Sequence, residues 1–360
     1  MRNVEFRLGE TWGCLLLIFL LLLSGCHKDV ATSGETEVFS DIVRLPTTPV
    51  KQQGHSESCW IYAMLATVET DRLVMGDSVN LSADYLCRQY LSEQALHYYL
   101  SRGRKPISMR GMMPMTLRLL EQYGAEPFDT YHGPSSLNYH VLCRKVEQAA
   151  RTSKSFAQLA RHTDTLFDSE LGFLPRFVFM AGVEYTPQQF GRSVCRPEAY
   201  VALTSFTHHG FQEDVVLEFP DNREQCRFRN VPIDELMAAV DSTLLSGHAV
   251  CWEGDISNKA FDFKRGVARL TLDSVDDVQQ LRQQSFERLS TTDDHCLTLV
   301  GIAEDSNGER FYLAKNSWGT ENAYGGFVYL SADYVRLYTI AVVGQMRNRR
   351  SAAEGKVNEK

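Results

Sequence analysis

A chain of 360 residues can bury a substantial core, and its 44% hydrophobic, 11% aromatic and 23% charged residues are those of an ordinary globular protein. A net charge of −8 with no long basic run argues against a nucleic-acid partner, which would need an excess of cations. The one local basic excess, Arg347-Asn348-Arg349-Arg350, reads as a solvated terminus.

The first segment stands apart from any fold. Cys14–Leu23 is ten apolar residues, short of the ~20 of a relaxed membrane span, and reads as the core of an export signal. Arg2 and Arg7 before it are matched by Glu5 and Glu10. Leu23-Ser24-Gly25-Cys26 then resembles a bacterial lipoprotein signal, which implies a lipid on the Cys26 thiol; the bland alternative is a secreted chain with a free Cys26. His27 and Lys28 follow in place of an aspartate, which by resemblance to enteric sorting implies the outer membrane, without fixing the leaflet. Such a lipid anchors a protein to a membrane and does not span it. The polar run Asp29 to Glu37 reads as a tether.

Patterning predicts helices over Cys59–Met75 (with Ser58 at its start), Ala83–Leu100, Met113–Tyr123, Leu137–Ala150 and Phe156–Leu166, and one from Pro232 to near Gly247. The character then changes. Ala249–Trp252, Cys296–Ala303, Arg310–Lys315, Gly326–Leu330 and Ile340–Gly344 are short, β-branched or aromatic, and separated by turn signals such as Ser306-Asn307-Gly308. The charged, Gln-rich stretch Asp273–Arg288 is a helical or loop excursion between strands. The expectation is a helical half followed by a β-rich half, without internal repeats.

Nine cysteines include Cys14 and Cys26, and no CxxC pair occurs, which argues against a zinc site; no metal or other cofactor is expected. Cys87, Cys143, Cys195, Cys226, Cys251 and Cys296 could pair in fifteen ways, but several lie in apolar runs that favour buried free thiols.

Chemistry concentrates in three places. Gln53 stands six positions before Cys59, which Trp60 follows at once; His295 opens an apolar strand; and Asn316-Ser317-Trp318-Gly319 comes 21 residues later. A thiol of ordinary pKa ~8.5 is mostly protonated at neutral pH, and only the thiolate is a good nucleophile. Placing Cys59 at a helix start and an imidazolium beside it would lower that value. His295 is the candidate base, Asn316 would accept its N–H and fix the ring, and Trp318 would shield that bond from water. Gln53 with the Cys59 backbone N–H would hold an oxyanion. Each residue has a duller reading. Cys59 could be a structural thiol, His295 a core histidine no more notable than His208-His209, and Gly111 a simple turn residue. Asp255 reads as a loop carboxylate, and Cys296 as a core residue on the strand face opposite His295.

Gln53-x5-Cys59-Trp60, His295 and Asn316-Ser317-Trp318-Gly319 together resemble the papain superfamily of cysteine peptidases. The separation of 236 positions from Cys59 to His295 exceeds the ~130–150 of papain-type enzymes and resembles the bleomycin hydrolase or aminopeptidase C branch, which carries a helical insertion. Arg110-Gly111-Met112, Tyr123-Gly124-Ala125-Glu126-Pro127 with Tyr131, Glu198–Thr204, Asn230-Val231-Pro232 and Gly247–Val250 are similar to segments of that branch, so the likeness runs with gaps from about 45 to 345.

The resemblance implies an α+β, papain-like two-lobed fold with an antiparallel, barrel-like C-terminal lobe. The expected organisation is a signal peptide 1–25, a tether 26–40, a peptidase domain 41–345 (helical lobe about 50–190, β-rich lobe about 195–345) and a polar tail 346–360. It also implies Cys59, His295, Asn316 and Gln53 as catalytic, Gly111 and Asp294 as substrate-binding, Trp60 and Trp318 as supporting, and a peptide or protein substrate. Ser56 and Glu57 replace the cysteine and glycine of papain, which removes its neighbouring disulfide, and Arg110 replaces the first of two glycines. The tail is unlike that of bleomycin hydrolases, where a C-terminal residue enters the cleft and makes an aminopeptidase, so endopeptidase and aminopeptidase action both stay open, as does oligomeric state. With 26 residues between Cys26 and Gln53, no papain-type prodomain is expected and the lipidated chain should be active as made. Two rival classes are a Cys–His amidase or transferase acting on non-protein amides, and a non-catalytic substrate-binding lipoprotein of the same fold. The first lacks this motif pair, and the second would be expected to have lost one of the four catalytic residues.

Overall fold

The structure, a computed structural model, describes residues 36–273, 275 and 277–346; the expected signal peptide 1–25, Cys26 and the tail beyond Met346 lie outside the described residues. Strand β1 (Ser40–Arg44) is followed by helices α1 (Cys59–Val74), α2 (Ala83–Leu100), α3 (Met113–Tyr123), α4 (Tyr139–Thr152) and α5 (Phe156–Leu171). A hairpin of β2 (Val178–Met180) and β3 (Val183–Tyr185) leads to α6 (Pro187–Val194). Next come β4 (Val201–Thr204), β5 (Glu213–Val216), β6 (Arg227–Asn230), α7 (Ile233–Leu245), β7 (Val250–Gly254), β8 (Phe261–Asp262) and β9 (Val267–Ala268). The last stretch holds α8 (Val278–Glu287), β10 (His295–Glu304), β11 (Arg310–Lys315), β12 (Phe327–Ser331), α9 (Ala332–Tyr338) and β13 (Thr339–Gly344).

One sheet organises the β-rich half, in the order β5-β6-β4-β13-β7-β10-β11-β12-β9-β8. Strand β10 is its centre and reads as a continuous apolar run because both its faces are covered; every residue but Glu304 is buried. Along one edge it pairs with β7 from His295 to Leu299 and then with β1 from Gly301 to Glu304. Most ladders are antiparallel, as expected, but β4 with β6 and β9 with β12 run parallel. The two-residue alternation of strands divides the core. Cys251 and Cys296 belong to a cluster built mainly from the helices, whereas Trp252, Leu297 and Leu299 belong to the β-rich cluster.

Helix α1 lies between them. Trp60 through Asp71 are all buried, so it has no solvent-facing polar stripe. Thr298 on β10 donates its hydroxyl to the Ala63 carbonyl at 2.8 Å. Buried carboxylates on α1 must find donors, and they tie it to distant segments. Glu69 accepts from Thr48, Lys51 and the Leu81 N–H, and Asp71 from the Ala249 N–H, the Tyr200 hydroxyl and Gln345.

The helices at 83–100 and 113–123 and the strand at 310–315 stand where patterning predicts them. Helix α5 runs on to Leu171, and α6 and α9 are additions. The tether expected to reach residue 40 gives way earlier. Phe39 stacks on Tyr329 at 3.8 Å, and β1 begins at Ser40, held by its ladder to β10 and not by any periodicity of its own.

Helices α3 and α6 meet through two glycines. Gly124 ends α3 at φ +83°, and a Cβ there would sit 2.0 Å from the Pro187 carbonyl oxygen; a Cβ on Gly191 would sit 2.6 Å from the Gly124 Cα. Gly124→Ala therefore strains the backbone and forces α6 away, and should cost about 2–3 kcal/mol in denaturant-induced unfolding.

Candidate active site

Cys59 is the first residue of α1, at the end where unpaired backbone N–H groups favour negative charge. The turn leading into it is tied locally: Ser56 Oγ accepts from the Ser58 N–H at 3.1 Å and lies 2.5 Å from Ser58 Oγ. Hydroxyls thus secure a turn from which the papain disulfide is missing.

His295 opens β10 and is buried, with its ring tilted over Trp318 at 4.5 Å between centroids. Its Nε2–H donates to Asn316 Oδ1 at 2.8 Å, which leaves Nδ1 for the thiol. Asn316 Oδ1 also accepts the Ser317 N–H at 2.7 Å, so the amide's orientation is fixed. Trp318 is flanked edge-on by Phe263 at 5.2 Å and Phe261 at 6.3 Å. Gln53 is buried, donating Nε2–H to the Ser56 carbonyl at 2.7 Å and accepting from Ser317 Oγ at 2.6 Å. The Gln53 N–H to Ser317 carbonyl bond at 2.8 Å holds the two motif segments side by side, although they are more than 260 positions apart.

A cleft of about 400 Å3 gathers Gln53, Cys59, Gly111, Asp294, His295 and Trp318 on one surface, with Asn316 behind the imidazole. Trp60 lies beneath, fully buried, its Nε1–H donated to the Met109 carbonyl at 2.8 Å. Its indole explains Gly111, since a Cβ there would meet the ring at 2.8 Å; the glycine is required by packing as well as lining the cleft. Asp294 is exposed and accepts from Thr292 Oγ1 at 2.7 Å. His208 and His209 sit against Glu218 instead, away from this lining.

Two residues do more than their sequence reading assigned. Cys296 is in the core as expected, but its thiol is also a neighbour of the Cys59 sulfur, because β10 packs directly on α1. The Cys296 thiol and the adjacent His295 hold the Cys59 thiol well below its usual pKa against the opposing effect of burial, while Cys296 is pushed well above its own, chiefly by burial. Cys59 is therefore the more readily ionised of the two thiols. Asp255 is a buried anchor: it accepts the Ser257 N–H at 2.9 Å and the Thr292 N–H at 2.8 Å, pinning the loop that delivers His295. Both roles depend on contacts across the fold. All seven described cysteines are free thiols.

The chain also resembles known proteins in sequence and in fold. The Peptidase C1-like family matches residues 179–354. Aminopeptidase W of Lactobacillus delbrueckii subsp. lactis is 25% identical over 91% of this chain and 87% of its own, and bleomycin hydrolase of Gallus gallus is 22% identical over 89% and 85%. The crystal structure of PepW from Lactobacillus rhamnosis superposes with a TM-score of 0.65 at 18% identity, covering 93% of this chain and 88% of that one, which establishes the shared two-lobed fold.

Inactivation of Cys59 by iodoacetamide should remain fast well below pH 8.5, because the thiolate persists there. The midpoint of that pH–rate profile should move upward in both Cys296→Ala and His295→Ala; unchanged midpoints would refute these two groups as the cause of the lowered pKa.

Proposed function

We propose that this chain is a papain-like cysteine peptidase of the bleomycin hydrolase and aminopeptidase C branch, in which Cys59, His295, Asn316 and Gln53 carry peptide-bond hydrolysis through a thioester. The observation that carries the reading is the His295–Asn316 hydrogen bond behind a Cys59 thiol held low at a helix start. The thiolate attacks the scissile carbonyl carbon, and the Cys59 backbone N–H with the free Nε2–H of Gln53 receives the oxyanion. His295 gives its proton to the leaving amine as the C–N bond breaks. Water then gives a proton to His295 while attacking the thioester, which releases the carboxylate and restores the thiolate–imidazolium pair. Asn316 is a positioning residue, keeping Nδ1 aimed at the sulfur.

We also propose that the mature chain is exported and held to the bacterial cell envelope, at the outer membrane, by a lipid on Cys26, and that it is active without removal of a propeptide. Leu23-Ser24-Gly25-Cys26 supports the anchor, and the short interval to Gln53 supports the second point.

Fluorogenic peptide turnover and labelling by a peptidyl epoxide test the mechanism. Cys59→Ala should abolish both while keeping its unfolding midpoint; a protein whose native form is never labelled at Cys59 would fit a non-catalytic binder. Gln53→Ala should lower kcat by about 10²–10³-fold with little change in KM, the loss expected for one oxyanion donor. Asn316→Ala should retain more activity than Cys59→Ala. Cys26→Ser should move the protein from the membrane fraction to the soluble one with its specific activity unchanged.

A further inference from the structure

The cleft carries a group of carboxyls that the reaction does not use. Glu253 on β7 stands directly opposite Cys296 on β10, 3% exposed, lining the cleft, and no hydrogen bond reaches its Oε2 among the described residues. Asp293, two positions before His295, lines the same surface and has an equally unpartnered Oδ2. Asp221 closes the group, held by Arg110 Nε at 2.6 and 2.9 Å. Arg110 is committed to Asp221 and also lies 3.9 Å from Glu57, so this one guanidinium faces more negative groups than it can neutralise.

A buried carboxyl with no donor is costly unless it stays protonated or meets a cation. Burial, together with Asp293, Cys59 and Asp221 nearby, pushes Glu253 well above the usual carboxyl range, and burial beside Asp221 brings Asp293 up to about 7. Such a wall suits a ligand that brings its own positive charge and N–H donors. Cys296 lines the same cleft as Cys59 and stands opposite Glu253, so a group in this pocket lies beside the atom that would carry the acyl half of the substrate.

We propose that Glu253, Asp293 and Asp221 form a cation subsite, which takes an ammonium or guanidinium group on the acyl side of the scissile bond. Two parts of a peptide supply that chemistry, a free α-ammonium and a lysine or arginine side chain. The assignment of specificity rests on the peptidase reading above, whereas the existence of the subsite does not.

Paired substrates with an aminomethylcoumarin leaving group separate the sources: acetyl-Lys-Ala against acetyl-norleucine-Ala, and Ala against acetyl-Ala. The cationic member should be favoured about tenfold or more in kcat/KM in at least one pair, and that ratio should fall about tenfold in Glu253→Gln. Preference confined to the first pair assigns the site to a side chain, and preference confined to the second assigns it to the amino terminus. Calorimetric binding of the matching peptide amides to Cys59→Ala protein reads the same ratios without turnover. Normal binding ratios in a chain that cleaves nothing would therefore refute the peptidase reading and still support the subsite. Ratios near one in both pairs, or ratios unmoved by Glu253→Gln, would overturn the proposal; if that variant does not fold, Asp293→Asn decides in the same way.

Discussion

The meeting of one helix end with one strand end governs this molecule. Cys59 begins α1 and His295 begins β10, and α1 packs along β10 with the Thr298 hydroxyl bonded to the Ala63 carbonyl. A sulfur anion is stable only if donors and a cation are held against it, because burial alone would raise its pKa. Here the helix start, the imidazole and the Cys296 thiol all converge on it.

That convergence needs a rigid frame, which buried polar groups on α1 help to supply. Glu69 and Asp71 each recruit donors from segments far apart in the chain, including Lys51 just before Gln53 and the Ala249 N–H at the start of β7. The Gln53–Ser317 backbone bond then couples the Gln53 side of the cleft to the loop that carries Asn316. Asp255 performs the same service for the approach to His295. Most of these bonds draw on ordinary residues whose neighbours are set by topology.

Legibility followed the range of the physics involved. Helices at 83–100 and 113–123 and the strand at 310–315 carry their own periodicity and stop signals, so local pattern was enough. Strand β1 has five residues and takes its shape from β10, which no local pattern reveals. Helix α6 did have a readable start, Thr186-Pro187 with Gln189 closing a capping box, but it is only eight residues long. Both parallel pairings bring together strands that are not neighbours in sequence.

The same division holds at the site. Gln53, Cys59, His295 and Asn316 could be singled out as candidates because their motifs are short and specific, and the fold brings them together at one cleft. Cys296 and Glu253 were not, because their importance comes from facing each other across two strands that begin 45 positions apart. Sequence alone determined which atoms could do the chemistry and that a helical half precedes a β-rich one. Tertiary structure alone decided which of two neighbouring thiols is held low, why Gly111 must stay small under the Trp60 indole, and that three carboxyls line the same cleft. The reason is physical: a side chain's identity is a local property, whereas its pKa and its partners depend on what the rest of the chain packs against it.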